Sequence, residues 1–240
     1  MPHFIIKGAD RNTAEDRLLF GFYDTSAEAE SAASEAGVFI SSIEALDEGD
    51  EPRRNDGLSG GWYRMATKLN QQDRYDEAVE VLFAAFRMAE REGMAITHET
   101  LLRVPKYLIL GGRKDEAWGI LNAMKIGQFP GVKEFYFGPA ILADIHKVMA
   151  TICSEEQAKF HNLIFSVCNA INAAIIGYSD ADQAMTEIEG YFGNCGLELS
   201  HPDQVLASIR GKVEAIDRDW DRGTKAALFA ESKISSAIVW

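Results

Sequence analysis

Residues 72–93 read QDRYDEAVEVLFAAFRMAEREG, and their period decides the fold. Tyr75, Ala78, Val79, Leu82, Ala85, Phe86 and Ala89 fall at the i, i+3, i+4, i+7 spacing of one helical stripe. Val81 and Met88 add an apolar line off the main stripe. A helix with two apolar edges touches neighbours on two sides, as in a stack of helix pairs. Just upstream, GGWYRMATKLNQQ places Trp62, Met65, Ala66 and Leu69 at helical spacing. The two segments predict a helical hairpin, and Ala66 and Ala78 are small enough to let its arms approach closely.

The same order of helix, Gly turn and helix returns in LLRVPKYLILGGRKDEAWGILNAMKIG. Here RKDEAWGIL answers DRYDEAVEVL at an offset of 39, so that Ala117 stands for Ala78 and Leu121 for Leu82. Pro105 takes the small-residue position of the first helix, where it is expected to kink or delay that helix. Across residues 58–127 this pattern resembles tetratricopeptide-repeat hairpins, with Trp62, Ala66, Leu69, Tyr75, Ala78, Leu82 and Ala85 at the intervals that family uses. Glu90 stands where the family has its terminal proline, and the second unit is longer than the family's 34 residues. The resemblance implies a right-handed stack whose first helices line a groove for another protein or peptide. Arg64, Lys68, Arg103 and Lys106 lie on those first helices and are the expected partner-binding residues, suited to an acidic peptide or chain end. The family's carboxylate clamp is not carried over, because Tyr63 and Thr67 hold its positions.

Before the hairpins, HFIIKGADR and RLLFGFYD read as strands around an NTAED turn. TSAEAESAASEAG reads as a helix capped by Thr25 or Ser26 and stopped at Gly37, and VFISSIEAL as a third strand. This β-β-α-β order over residues 1–46 resembles small accessory modules of bacterial proteins, through Ala9, Asp10, the TSAEAE helix start and the EAGV exit. DEGDEPRRNDGLSGG has the composition of a linker, which sets a boundary at 47–57 and a helical domain over 58–240. The expected fold is therefore mainly α, with a small N-terminal α+β module. Beyond residue 130, further helix pairs follow. Ser154 and Gln157 form a capping-box signal, and the segment 155–178 is apolar nearly all round, as a central helix would be. The alternative to a stack is a single helical bundle carrying one repeat-like hairpin. The apolar tail SKISSAIVW is expected to dock, on the last helix pair or as an added strand on the N-terminal sheet.

The chain has 240 residues and a formal net charge of -13, with acidic flanks around a near-neutral middle. That charge speaks against nucleic acid as a partner, since no broad basic surface is there to neutralise phosphates. The longest apolar run, near 163–176, is too short for a membrane span and is broken by Ser166, Asn169 and Asn172. Three cysteines without CxxC spacing and no leader-like start suggest a reduced, cytoplasmic protein.

No sequence pattern marks a catalytic, cofactor or metal site. His146, Cys153, His161 and Cys168 form two pairs seven apart, each pair on one helix face. Seven residues of helix rise about 10.5 Å. If the chain reverses at Ser154, the histidines come level while Cys153 sits at the turn and Cys168 lies far beyond. The four cannot converge on zinc, and buried cysteines with partly exposed histidines are expected. Asp217, Asp219 and Asp221 open like a calcium loop that then fails, with Arg222 at its sixth position and Leu228 at its twelfth. Asp217 and Asp221 are expected to pair with Arg218 and Arg222 on a solvated helix. Phosphate loops and HExxH are absent from the sequence, and GLSGG at 57–61 matches GxSxG only in letters, with no strand signal before it to build a nucleophile elbow. These readings favour a non-enzymatic adaptor. The alternative is an acidic inhibitor or immunity-type protein that covers a basic partner, for which the net charge speaks.

Overall fold

The structure is a computed structural model, and it describes residues 3–46 and 57–239. It is mainly helical, with a small three-stranded sheet at the N-terminus. The chain divides into two compact units, Met1–Met94 and Ala95–Trp240. Nearly all of the expected linker lies outside the described residues, and the unit that holds the sheet runs on through the first helical hairpin. The expected boundary at 47–57 therefore falls inside that unit.

In the first unit, β1 (His3–Asp10) is central and pairs antiparallel with β2 (Asp16–Phe22) and β3 (Val38–Leu46). The β1–β2 turn is held by Asp10, whose Oδ1 accepts from the backbone N–H of Asn12 at 2.9 Å and of Thr13 at 3.2 Å. Helix α1 (Ser26–Glu35) is capped by Thr25, as its sequence suggests. Ala29 and Ala33 of α1 are buried with Phe4, Ile6 and Val38. Ile5 points to the opposite face and is buried too. Three consecutive buried apolar residues require cover on both faces of the sheet, because successive strand side chains alternate. The second cover is the hairpin of α2 (Gly57–Gln71) and α3 (Tyr75–Glu92). Trp62 meets Phe20 edge-on at 5.5 Å, and Glu77 pairs with Lys7 at 3.2 Å.

The second unit begins with α4 (His98–Leu101) and α5 (Arg103–Leu110), broken at Leu102. Pro105 stands at the third residue of α5, in the first turn, where a missing N–H costs little. It delays the helix, as expected, and leaves α4 as a separate turn. Helix α6 (Lys114–Lys125) completes a second hairpin. The turns of the two hairpins match closely. Arg74 N donates to Leu69 O at 2.9 Å, and Arg113 N to Leu108 O at 2.8 Å. Asp73 and Gly112 both adopt left-handed backbone, with φ of 60° and 81°. Arg74 bonds Glu77, and Arg113 bonds Glu116, each three residues on.

The remaining helices are α7 (Pro139–Met149), α8 (Glu155–Ile176), α9 (Ala181–Asn194), α10 (Pro202–Val213) and α11 (Trp220–Ala237). The Ser154–Gln157 capping box opens α8, which packs against α7, α9 and α11 and so occupies the centre of this unit. Neighbouring helices pack in chain order, but α11 also returns onto α7 and α8. That return depends on small residues. Gly223 lies against Ile175, where an added Cβ would collide, and Ala226, Ala227 and Ala230 are buried beside it.

The tail docks within this unit, but mostly as helix. Ile234 and Ala237 continue the buried stripe of Ala227 and Ala230, so α11 extends to Ala237. Beyond α11, Ile238 is extended and bridges Leu199, and Val239 N donates to Glu198 O at 3.0 Å. Asp219 caps α11, Asp221 pairs with Lys225 at 2.6 Å, and Arg222 turns to Asp219 at 3.6 Å. The expected pairing of Asp221 with Arg222 gives way to the better i, i+4 geometry of Lys225. Among the described residues, no helix is long and apolar enough to cross a membrane. Gly223→Ala is expected to lower stability by about 2 kcal/mol, read by chemical denaturation, because the extra methyl overpacks the α8–α11 crossing.

Candidate functional site

The four basic residues expected to bind a partner divide between the units. Arg64 and Lys68 are half-buried on α2, while Arg103 and Lys106 lie on α5. The matched turns show that Arg64 and Arg103 occupy equivalent positions, whereas Lys106 falls one residue short of the Lys68 position, which Tyr107 fills. Lys68 and Lys106 therefore point from different faces of their helices. Arg103 is engaged within its own helix. Its guanidinium donates to the Tyr107 hydroxyl at 2.9 and 3.1 Å and stacks over that ring at 5.5 Å. Lys106 alone of the α5 pair is exposed.

Lys106 lines a groove of about 450 Å³ between α4–α5 and α7. Leu102, Ile109, Leu110 and Val148 form its apolar surface, and Lys106, Lys147, Glu99 and Asp144 are its charged residues. Leu110 is 57% exposed although it is large and apolar. The groove walls are tied at one place by His98 Nε2, 3.3 Å from Asp144 Oδ2. Lys147 rests over the Phe165 ring at 5.6 Å, which keeps its ammonium at the rim. Such a groove can hold apolar side chains on its floor and opposite charges at its edge.

A second cluster lies inside the same unit. His146 of α7 and His161 of α8 face each other with their Nδ1 atoms 2.9 Å apart. The level placement expected from a reversal at Ser154 is observed. The expected partial exposure is not, because His146 is 0% and His161 5% exposed. Helices α6 and α11 cover them. Glu231 of α11 places Oε2 3.4 Å from His146 Nε2, while its other oxygen accepts from Lys125 of α6. The carboxylate favours a proton on His146 Nε2, which leaves Nδ1 to accept from His161 Nδ1–H. Trp118 stands edge-on to His161 at 5.6 Å.

Burial disfavours a second positive charge here. It holds the His161 ring down to about 4, assisted by the nearby His146 and Lys125. Burial likewise holds His146 below its ordinary value, against the opposing pull of Glu231. It would raise the Glu231 carboxyl, but bonding to His146 and Lys125 outweighs it and keeps the group ionised. Burial pushes the Cys168 thiol up, which disfavours its thiolate. Cys153 and Cys195 are half-buried and free. Among the described residues, no group of three His, Cys, Asp or Glu side chains is placed to hold a metal ion. The cluster is an ion pair and a histidine pair contributed by four helices. The spacing of His146 and His161 hinted at it, but Lys125 and Glu231 are 106 residues apart and carry no sequence signal of meeting.

No family model, curated protein or solved structure matches this chain.

The buried histidines predict acid sensitivity. A folded pKa below the unfolded one means that the unfolded chain binds more protons, so stability is intact above about pH 6.5 and is lost as pH falls. His161 alone should remove about 3 kcal/mol between pH 6.5 and 4, and denaturation midpoints across that range measure it. His161→Asn, which keeps a donor for His146, should flatten the slope by about one proton's worth. Lys125→Met should cost about 3 kcal/mol at neutral pH, because it strips a buried carboxylate of its cation.

Proposed function

We propose that this protein is a non-enzymatic adaptor whose groove between α4–α5 and α7 holds an amphipathic segment of another protein. The observation that carries the reading is the groove itself, an apolar floor left exposed at Leu110 and flanked by Lys106 and Lys147. An occupant would seat apolar residues on Leu102, Ile109, Leu110 and Val148 and set acids against the two lysines. Glu99 and Asp144 would reject a uniformly acidic peptide and so confer selectivity.

We further propose that the α2–α3 and α5–α6 hairpins are related units of the tetratricopeptide kind. Their matched turns, the paired Arg and Glu at each second-helix start, and buried Ala78 and Ala117 at an offset of 39 support it. The three unpaired cysteines suit a reducing cytoplasm.

The net charge of -13 favours a second reading, an acidic inhibitor that covers a basic protein. Salt separates the two. An inhibitor steered by charge loses association rate steeply as salt rises, whereas groove binding through an apolar floor changes little.

A photo-crosslinker placed at Leu110 should label a discrete partner that the same group at exposed Tyr178 does not label. Leu110→Asp should reduce recovery of that partner about tenfold or more, while stability shifts by less than about 0.5 kcal/mol. Undiminished recovery from Leu110→Asp together with Lys106→Glu would contradict the groove as the binding site.

A further inference from the structure

We propose that the seam between the α5–α6 hairpin and α7 is an acid-operated hinge: a proton taken up by the His146–His161 pair parts the hairpin from α7 and opens the groove. The pair lies where this seam meets the centre of the unit. His146 comes from α7 and His161 from α8, with their Nδ1 atoms 2.9 Å apart. The hairpin reaches the pair through α6, which packs against α7. Lys125 of α6 bonds Glu231 beside the His146 ring, and Trp118, about two turns earlier, lies against His161 at 5.6 Å. Both Nδ1 atoms are engaged with each other, and His146 Nε2 faces Glu231. The nitrogen left to take a further proton is His161 Nε2.

A count of charges gives the direction of the effect. With both imidazoles neutral, the cluster holds one ammonium and one carboxylate and is balanced. A further proton leaves one positive charge in excess. Among the described residues, Glu231 is the one acid that acts on either ring, and it is already shared between Lys125 and His146. Helix α9 also packs on α8, but none of its charged groups acts on the rings. Cys168 of α8 is held as a neutral thiol by burial, and Lys159, two residues before His161, is turned to Glu155 and Glu156. Burial opposes a charge on each ring, and Lys125 adds to that opposition.

The excess is relieved where a cation can leave. Helices α7 and α8 pack on each other and on α11, whereas Lys125 stands at the last residue of α6 with its side chain 20% exposed. An outward swing of α6 takes this ammonium to water. What stays inside, the Glu231 carboxylate and the protonated pair, is balanced again. Helix α5 moves with α6, because the tight turn at Gly112 joins them, and α5 is the groove wall opposite α7. His98 ties the walls to each other at Asp144, 3.3 Å away, and a proton on His98 tightens that contact, so the hairpin pivots there. The use of this hinge to release an occupant rests on the adaptor reading. The two fail separately, because the hinge can be measured without a partner.

Spin labels at Leu110→Cys and Thr151→Cys, both exposed and both on the groove, read the opening in the full chain by pulsed electron spin resonance. Cys153→Ser and Cys195→Ser remove the half-buried thiols that would also take label. The open form binds one more proton than the closed form, so its ratio to the closed form should rise by up to about tenfold per pH unit below about pH 6.5. A longer label distance should therefore grow in between about pH 6.5 and 4.5, while circular dichroism shows the helices intact. His161→Asn, which removes the ring that takes the proton, should keep the closed distance over that range. Lys125→Met should reverse the sign. There the same proton balances Glu231, so acid should hold the seam closed and any longer distance should fade. An unchanged distance without either cluster substitution overturns the inference. So does opening that grows with acid in either variant, or opening that appears only as helicity is lost.

Discussion

Ala66 and Ala78 are wholly buried in the first hairpin, as Ala117 is in the second and Ala226, Ala227 and Ala230 are on α11. At these positions the helix presents to its neighbours a side chain no larger than a methyl group. The constraint is steric. Interiors are packed to crystal density, so the distance between two helices is set by the side chains at the crossing. With alanine there, larger neighbours such as Leu82, Phe86 and Leu121 bury their full surface beside it, and each contributes about 2 kcal/mol. Gly223 against Ile175 is the extreme case, and through it α11 closes back on the central helix.

This packing positions both features of interest. The hairpin turn that brings Arg113 onto Glu116 also fixes where α5 ends, and therefore where Leu110 emerges. The return of α11 carries Glu231 inward to meet Lys125 and His146. A buried ion pair is a weak source of net stability, since desolvation offsets most of its attraction. Its effect here is positional. The carboxylate, the ammonium and the two imidazoles come from α11, α6, α7 and α8, and α7 is also one wall of the groove. The histidine pair thus joins the groove wall to a cluster in which burial disfavours an extra proton.

Much of the fold is legible in the residues. The stripe from Tyr75 to Ala89, the Thr25 and Ser154 caps and the delay at Pro105 all rest on local chemistry, and the structure places them as that chemistry requires. What the sequence hides is long-range. Nothing local announces that Phe4, Ile5 and Ile6 need helices on both faces, which draws the first hairpin into the sheet's unit. The tail reads as β-favouring by composition, yet Ile234 and Ala237 extend a helical stripe set further back in α11. The exposure of His146 and His161 could not be judged without knowing that α6 and α11 cover them. Lys106 looks equivalent to Lys68 until the turns fix the register, and then the two separate.

A size series at Ala66 and Ala78 reaches the central constraint most directly. Replacing each in turn by Val and then Leu, with unfolding free energies measured in denaturant, should show stability falling with every added methylene, to about 3 kcal/mol for Leu. Leucine tolerated at both positions within about 0.5 kcal/mol would mean that the arms of the hairpin are not held close, and the account of its packing would be contradicted.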